Sequence, residues 1–294
     1  MAHPAVVYHK AMHDDGAHPP NSLAAIAAAL DDGAAWIEID VLPLAYDDYM
    51  LVHDFDLASE TTGSGFTTAA TPEAVRGLHI VHDGHITDHR PPLLSDVVAL
   101  MASHPGTARL QIDYKFVFPT QDDEPLARLA RLIAPLGQRA LVSTGADWHL
   151  TRLHALGGDF DLGFDIGFYL DARPEAVDPR LPPHRLGAYG YHDDHPLAAQ
   201  RMVTTARYLE LRCEALHAAV PFARVWYVSH RLITRCLEDG FNMAAWLKAR
   251  DVLLDAWTID AGTPGAAHVP TLADAGVSLF TSNTPRAIAA LLTR

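Results

Sequence analysis

Four short stretches of this chain set charged or imidazole side chains at the ends of apolar runs: His9-Lys10, Glu38-x-Asp40, His53-Asp54 and Asp113-x-Lys115. The acidic members suit a hard cation. Alternate residues of an extended strand share a face, so Glu38 and Asp40 point the same way. Asp113 could add a third oxygen from a neighbouring strand. Carboxylates completed by waters suit one divalent cation, Mg²⁺ or Ca²⁺. Ion pairs with Lys10 and Lys115 are the other way to neutralise Glu38 and Asp40. The metal is favoured, because carboxylates at buried strand positions are costly to keep without a cation. The imidazoles suit proton transfer, since one can be neutral while its partner is protonated near pH 6.5. A single histidine means little in a chain with 18 of them. The weight comes from His9 and His53 lying beside carboxylates and lysines.

Those residues need a scaffold that brings distant strand ends together. Strand-like and helix-like runs alternate along the chain. Residues 5–8, 36–41, 49–53, 110–114, 141–143, 162–165, 225–228, 253–259 and 277–281 read as strands. Helical patterns lie between them, notably over 23–30, 94–103, 124–133, 148–156 and 197–220. Asn21 or Ser22 caps the first of these, Gly33 stops it, and Ser95 could cap the second. A βαβα rhythm predicts an α/β fold with a parallel sheet, and eight such strands close a TIM (β/α)8 barrel. The ninth is the strand at 49–53. Parallel neighbours need a crossover of a dozen or more residues, and only about eight separate Val41 from Met50. That strand therefore runs antiparallel to 36–41, and His53 returns roughly level with Glu38. In the barrel all four polar stretches meet at one mouth. Two loop insertions, about 60–92 and 171–196, are expected at the C-terminal face, where function concentrates.

The bulk composition agrees. Of 294 residues, 49% are hydrophobic and 20% charged, enough apolar mass for one large barrel domain spanning 1–294. A net charge of −14 disfavours nucleic acid and anionic membranes as partners, so positive charge for an anionic substrate must be local. No apolar run approaches a membrane span, and residues 1–10 lack a signal-peptide pattern, so no stable membrane insertion and a cytoplasmic location are expected. Cys213 and Cys236 belong to no CxxC motif and read as reduced, buried thiols.

The segment Trp36-Ile-Glu-Ile-Asp-Val41, then Leu51-Val-His-Asp54, Leu57 and Thr61-Thr-Gly-Ser-Gly65 resembles the glycerophosphodiester phosphodiesterase family. His9-Lys10 resembles its His-Arg-Gly motif, Pro19-Pro-Asn-Ser22 its Pro-Glu-Asn-Thr, and Ile112-Asp-Tyr-Lys115 its Glu-x-Lys strand. Ala256-Trp-Thr-Ile259 is similar to its late Trp-Thr-Val strand, and Ala275-Gly-Val277 with Thr281 to Pro285 to its closing motifs. The likeness spans most of the chain in order. It implies a small phosphodiester substrate hydrolysed to a phosphomonoester of the glycerol phosphate type and an alcohol. By this resemblance His9 and His53 match the acid/base pair, and Glu38, Asp40 and Asp113 the metal ligands. Lys10 and Lys115 match the cations that hold phosphate, and Trp257 an aromatic near the alcohol.

The pattern departs from the family in places. Lys10 replaces an arginine and forfeits its bidentate fork. Ala11 stands for glycine, Pro20 for the glutamate of Pro-Glu-Asn-Thr, Asp113 for a glutamate, and Ser282-Asn283 for Thr-Asp. The Lys10, Pro20 and Asp113 changes motivate one alternative, a non-catalytic binder of phosphorylated ligands; resemblance to related phospholipase barrels implies another, a lyase-like enzyme that stops at a cyclic phosphate. His79, His82, His85 and His89 could form a second metal site, although Gly84 favours a solvated loop. The cluster His192 to His195 could rim the pocket.

Overall fold

The computed structural model describes residues 3–104, 106–172 and 185–293. Eight parallel strands close into a barrel: β1 (Ala5–Tyr8), β2 (Trp36–Pro43), β3 (Arg109–Tyr114), β4 (Ala140–Thr144), β5 (Asp161–Asp165), β6 (Val225–Ser229), β7 (Leu253–Trp257) and β8 (Leu279–Ser282). Closure is made by β1, which pairs with β2 through Val7↔Trp36 and with β8 through Val7↔Thr281. Helices connect the strands and cover the outside. The first, α1 (Leu23–Asp31), begins at Ser22, whose hydroxyl accepts from the Ala25 N–H at 3.1 Å. No helix among the described residues is long and apolar enough to cross a membrane.

The two-residue period of the strands divides the side chains between two environments. Ile37, Ile39, Val41, Leu110, Ile112, Val142, Phe164 and Phe280 face the helices and build the main core. Residues of the other parity face the barrel axis. Their lower layers are apolar, with Val7, Trp36, Leu141, Val225, Tyr227 and Leu279 packed together. Gly163 makes room for this plug: a Cβ there would lie 2.5 Å from the Tyr227 ring. One step up each strand the inward residues turn polar, giving Glu38, Gln111, Ser143, Asp255 and Thr281. The bottom of the barrel is therefore sealed by packing and its top is chemical.

Residues 49–50 pair antiparallel with the end of β2, through Leu42↔Met50 and Pro43↔Tyr49. The direction is as expected, but the ladder is shorter than 49–53. The Leu51 N–H turns to the Pro92 carbonyl at 3.1 Å. The His53 and Asp54 N–H groups donate to the Glu60 carboxylate at 2.7 and 3.1 Å. With those donors engaged elsewhere, the strand stops. The expected helix over 197–220 is also two pieces, a short 3₁₀ turn Pro196–Ala199 and α5 (Thr205–Ala219), because Thr204 caps the second piece. Ser95 does not cap its helix; its hydroxyl donates to Asp48, and Asp96 accepts from the Leu93 N–H instead.

In the first insertion a short helix Pro72–Arg76 precedes a tight hairpin, Val81–His82 with His85–Ile86. Its turn residues Asp83 and Gly84 are both left-handed, at φ 49° and 76°. The hairpin spreads His79, His82, His85 and His89 apart, and among the described residues none joins a metal-sized cluster. The second insertion lies partly outside the described residues. Its latter part pairs Arg185–Leu186 with His192–Asp193. Asp193 is buried, accepting from Tyr208 and from Arg212 Nε, the latter at 2.8 Å, and none of His192 to His195 lines the barrel cavity. That cluster anchors the insertion rather than rimming the pocket. Cys213 and Cys236 are free and buried.

Candidate active site

At the C-terminal face a cavity of about 390 Å³ opens, lined by His9, Lys10, Glu38, His53, Asp113, Lys115 and Trp257 among others. Seven of the eight residues singled out from sequence thus face one space. The eighth, Asp40, lies directly behind, with no exposure. Strand register explains the convergence. Asp40 pairs with Asp113 across β2 and β3, and Glu38 with Gln111 one layer below.

Each carboxylate is held by its own partners. The backbone just past β1 is left-handed at Lys10 and Ala11, with φ 53° and 56°. That turn aims the Lys10 N–H at Glu38 Oε2, 2.7 Å away. It also places a buried alanine in a conformation that favours glycine, at a cost of about 1–2 kcal/mol. Asn21, itself left-handed at φ 57°, clamps Asp40 on both sides. Its Nδ2 donates to Asp40 Oδ2 and its Oδ1 accepts from the Asp40 N–H, each at 3.1 Å. A relay on β3 and β4 steadies Asp113: Gln111 donates to Ser143 Oγ at 3.1 Å, and Ser143 donates to Asp113 Oδ1 at 3.2 Å.

Glu38, Asp40 and Asp113 each offer an oxygen within 4.8 Å of the others. The lysines neutralise part of this charge. Lys10 Nζ lies 3.1 Å from Asp40 Oδ2, and Lys115 Nζ lies 3.1 Å from Asp40 Oδ1 and 2.5 Å from Asp113 Oδ2. Ion pairing therefore exists for Asp40 and Asp113, but no lysine pairs with Glu38. Burial alone would discharge Lys115, yet Asp113, Asp40 and Glu38 hold its proton well above the ordinary lysine range. Burial likewise disfavours charge on Asp40, and Lys115 with Lys10 overcome it. Glu38 has no such help: burial, Asp40 and Asp113 push its carboxyl well above the usual range. Asp40 Oδ1 is also a buried oxygen with no hydrogen bond, the Lys115 contact lying outside bonding geometry. An all-oxygen donor set, an orphaned buried oxygen and a Glu38 carboxyl without a cationic partner among the described residues fit a hard divalent cation.

The histidines are oriented differently. Asp260 takes two bonds from Asn283, from its N–H at 2.7 Å and from Nδ2 at 2.8 Å. Only the amide nitrogen can donate to a carboxylate, so Asn283 Oδ1 must face the other way, towards His9 Nδ1 at 2.7 Å. That oxygen can only accept, so His9 carries its proton on Nδ1. Nε2 is left as the free lone pair, 3.9 Å from Glu38 Oε2. Burial holds this imidazole down at about 4, so it is neutral near pH 7. His53 is half-exposed, its Nδ1 lying 2.8 Å from Asp54 Oδ1 and its backbone fixed by Glu60. Both imidazoles face the cavity, where such groups can transfer protons.

Sequence reasoning missed four contributors. Asn21 was read as a possible helix cap, Asn283 as a departure from a motif, Glu60 as the start of a loop, and Asp165 as the end of a weak strand. Asp165 ends β5 facing the cavity, and its Oδ1 accepts only the Gly167 N–H, at 2.8 Å. Burial raises its carboxyl to about 7, with Asp113 adding to the rise. Only strand parity, which puts 161, 163 and 165 on one face, could have flagged it. Pro20 lies beside the site against Asn21 and Glu60, and its side chain supplies no donor there.

Comparison with known proteins places the chain. The pattern of the Glycerophosphoryl diester phosphodiesterase family matches residues 9–286. No curated protein matches the sequence. Among solved structures, an Oleispira antarctica phosphodiesterase in complex with the product sn-glycerol-3-phosphate has a TM-score of 0.66 at 17% identity, covering 99% of this chain and 98% of that one. A glycerophosphoryl diester phosphodiesterase from Parabacteroides distasonis has a TM-score of 0.64 at 17% identity, with 99% and 86% covered. The glycerophosphodiester phosphodiesterase from Agrobacterium tumefaciens gives 0.62 at 17%, with 98% and 99% covered. At such identities the structures establish the shared barrel, and the family match does the rest. The chain belongs to the glycerophosphoryl diester phosphodiesterase family and is a phosphoric diester hydrolase on a TIM (β/α)8 barrel.

Proposed function

We propose that residues 1–294 act as one barrel domain that hydrolyses a glycerophosphodiester, or a related small phosphodiester, to a phosphomonoester and an alcohol. One divalent cation, Mg²⁺ or Ca²⁺, would be held by Glu38, Asp40 and Asp113. When bound it supplies positive charge to the phosphoryl oxygens as negative charge grows on them. The observation that carries the reading is a tautomer-fixed, neutral His9 sharing a cavity with His53, beside two lysines. Lys10 and Lys115 bind the phosphate oxygens. His9 Nε2 takes the proton of the attacking oxygen, water or a neighbouring substrate hydroxyl. His53, its ring oriented by the Asp54 contact, gives a proton to the leaving alkoxide. Trp257, at the end of β7, faces the alcohol. A binding-only role would leave the Asp260–Asn283–His9 relay without purpose.

The free, buried thiols fit a reducing compartment and a cytoplasmic location. A net charge of −14 argues against nucleic acid as substrate. The test is turnover of a panel of phosphodiesters by the purified protein, with and without EDTA, beside His9→Ala and His53→Ala. Phosphorus NMR of the products separates a phosphomonoester from a cyclic phosphate. Cation-dependent release of a phosphomonoester, lost in both variants, is the expected result. Activity that survives EDTA, or that survives either substitution, would sink the mechanism.

A further inference from the structure

The proposed reaction leaves one fully buried acid without work. Asp255, on β7, points into the barrel with no exposure, in the polar layer under the cavity. We propose that Asp255 is a positioning residue: as a neutral carboxylic acid it donates to Thr281, and this turns the Thr281 hydroxyl proton into the cavity, towards an oxygen of the bound anion.

The argument is an inventory of protons. Thr281 Oγ1 lies 3.0 Å from Asp255 Oδ1 and 2.9 Å from Oδ2. A hydroxyl carries one proton, so it can satisfy only one of those oxygens. Among the described residues no other hydrogen bond or ion pair reaches Asp255. Its neighbours in the lumen do not help. Tyr227 on β6 is its cross-strand partner, but the Tyr227 hydroxyl has no hydrogen-bond partner. Leu279, its partner on β8, is apolar, and Trp257, the next inward residue of β7, has an unpartnered Nε1. The one charge that reaches it from across the lumen is Asp165 on β5, of the same sign. An ionised Asp255 would be a buried charge with one oxygen unfilled, which is costly. The neutral acid removes that charge and supplies the missing donor. Burial, and after it Asp165, raise its carboxyl to about 7, with Thr281 pulling the other way. Burial also pushes Tyr227 well above its ordinary range, so the phenol beside Asp255 stays neutral.

Geometry then decides where the Thr281 proton goes. The two oxygens of a carboxyl are roughly 2.2 Å apart, so from Thr281 Oγ1 they subtend roughly 45°. The proton and lone pairs of a hydroxyl point in nearly tetrahedral directions. A Thr281 that accepts from one carboxyl oxygen therefore cannot donate back to the other. Its proton must leave the carboxyl, and Thr281 borders the cavity that also holds Lys10 and Lys115. Asp255 does not border that cavity, so it acts through Thr281. Ionising Asp255 reverses both effects. It draws the Thr281 proton back, and it sets a negative charge beneath a site meant for an anion.

This inference rests on the phosphodiesterase reading for its ligand, so one readout needs no ligand. Infrared difference spectra between wild type and Asp255→Asn are expected to show the carbonyl band of a protonated acid in the wild type, fading as pH rises through about 7. Alongside, dimethyl phosphate, a diester whose charge is constant over this range, is titrated calorimetrically in saturating Mg²⁺. The titrations are made at about pH 6 and about pH 8, either side of the buried acid's midpoint. Other groups bordering the cavity, Asp165 among them, are common to every variant, so the quantity read is the ratio of the two affinities. The wild-type ratio is expected to exceed that of Asp255→Asn, whose amide donates to Thr281 at either pH, by about tenfold. Thr281→Val should bind weakly at both pH values, and Thr281→Ser should behave as wild type. These two keep the test decisive if Asp255→Asn fails to fold. A missing infrared band, a wild-type ratio in Asp255→Asn, or wild-type binding by Thr281→Val would each overturn the proposal. The band and the ratio as expected, without turnover of any diester, would refute the catalytic reading and leave the Asp255–Thr281 pair standing.

Discussion

Replacing Asn283 with alanine removes the acceptor that fixes the proton on His9 Nδ1. The structure lets the size of the effect be worked out. The wild-type contact is a half-buried 2.7 Å bond, and it is backed by two bonds from Asn283 to Asp260. Alanine keeps the backbone N–H bond to Asp260 and loses both side-chain bonds. His9 then chooses freely between its two tautomers, and its ring can rotate. A lost oriented bond of this kind is worth about 1.4–2.7 kcal/mol, which is a 10- to 100-fold fall in kcat. A fully wrong tautomer in a comparable relay can cost about 10⁴-fold, which sets the upper limit. KM should change little, because Asn283 does not line the cavity and is not among the residues proposed to hold phosphate. The assay is steady-state hydrolysis of a glycerophosphodiester in saturating cation, with circular dichroism confirming the fold. Asp260→Asn should act in the same direction, since an amide there permits Asn283 to flip. A kcat within twofold of wild type in Asn283→Ala would refute the tautomer argument.

Three further outcomes are expected. Ser22→Ala deletes the cap of α1 and should lower unfolding free energy by about 1 kcal/mol in urea titrations, with an unchanged m-value. Gly163→Ala forces a methyl to within 2.5 Å of Tyr227 and 3.0 Å of Leu141, and overpacking of this kind costs about 1–3 kcal/mol in the same measurement. Burial holds His149 at about 4, below its ordinary value. The unfolded imidazole therefore takes up its proton first as pH falls from about 6.5 to about 4, and stability is lost across that window by about 3 kcal/mol. Asp255 is raised to about 7 by burial and slopes the other way between about 4 and 7, so the comparison must be with His149→Phe. That variant should show a flatter acid limb, and an unchanged slope would refute the assignment.

Much of this was legible because the strands are strictly periodic. Glu38 and Asp40 on β2, and Asp113 on β3 with Lys115 just past its end, declare their shared faces by spacing alone. The antiparallel direction of 49–50 followed from the short connection, which no crossover could span. Its early end did not, because the Leu51 N–H goes to the distant Pro92 carbonyl and Glu60 takes those of His53 and Asp54, partners no strand pattern encodes. The same holds for the orienting residues. Asn21 reaches Asp40 and Asp260 reaches His9 only after the barrel closes. In each case an amide or carboxylate is satisfied by a partner set by tertiary position. The helix expected over 197–220 failed for a local reason, because Thr204 offered a cap in the middle of an apolar-looking run.

Lys10 and Lys115 have a double allegiance. Both ammonium groups rest against Asp40, and Lys115 against Asp113 as well. The carboxylates that would receive a cation are thus the ones that detain the groups meant for phosphate. On the proposed function, a cation arriving at those oxygens would loosen the lysines towards the cavity. Phosphate drawn to the lysines would likewise vacate oxygen for the cation. The two equilibria are then linked, and linkage is reciprocal: each partner must strengthen the other's binding by the same factor. Seen this way, the pocket behaves as a two-key lock in which either key turns the tumbler for the other.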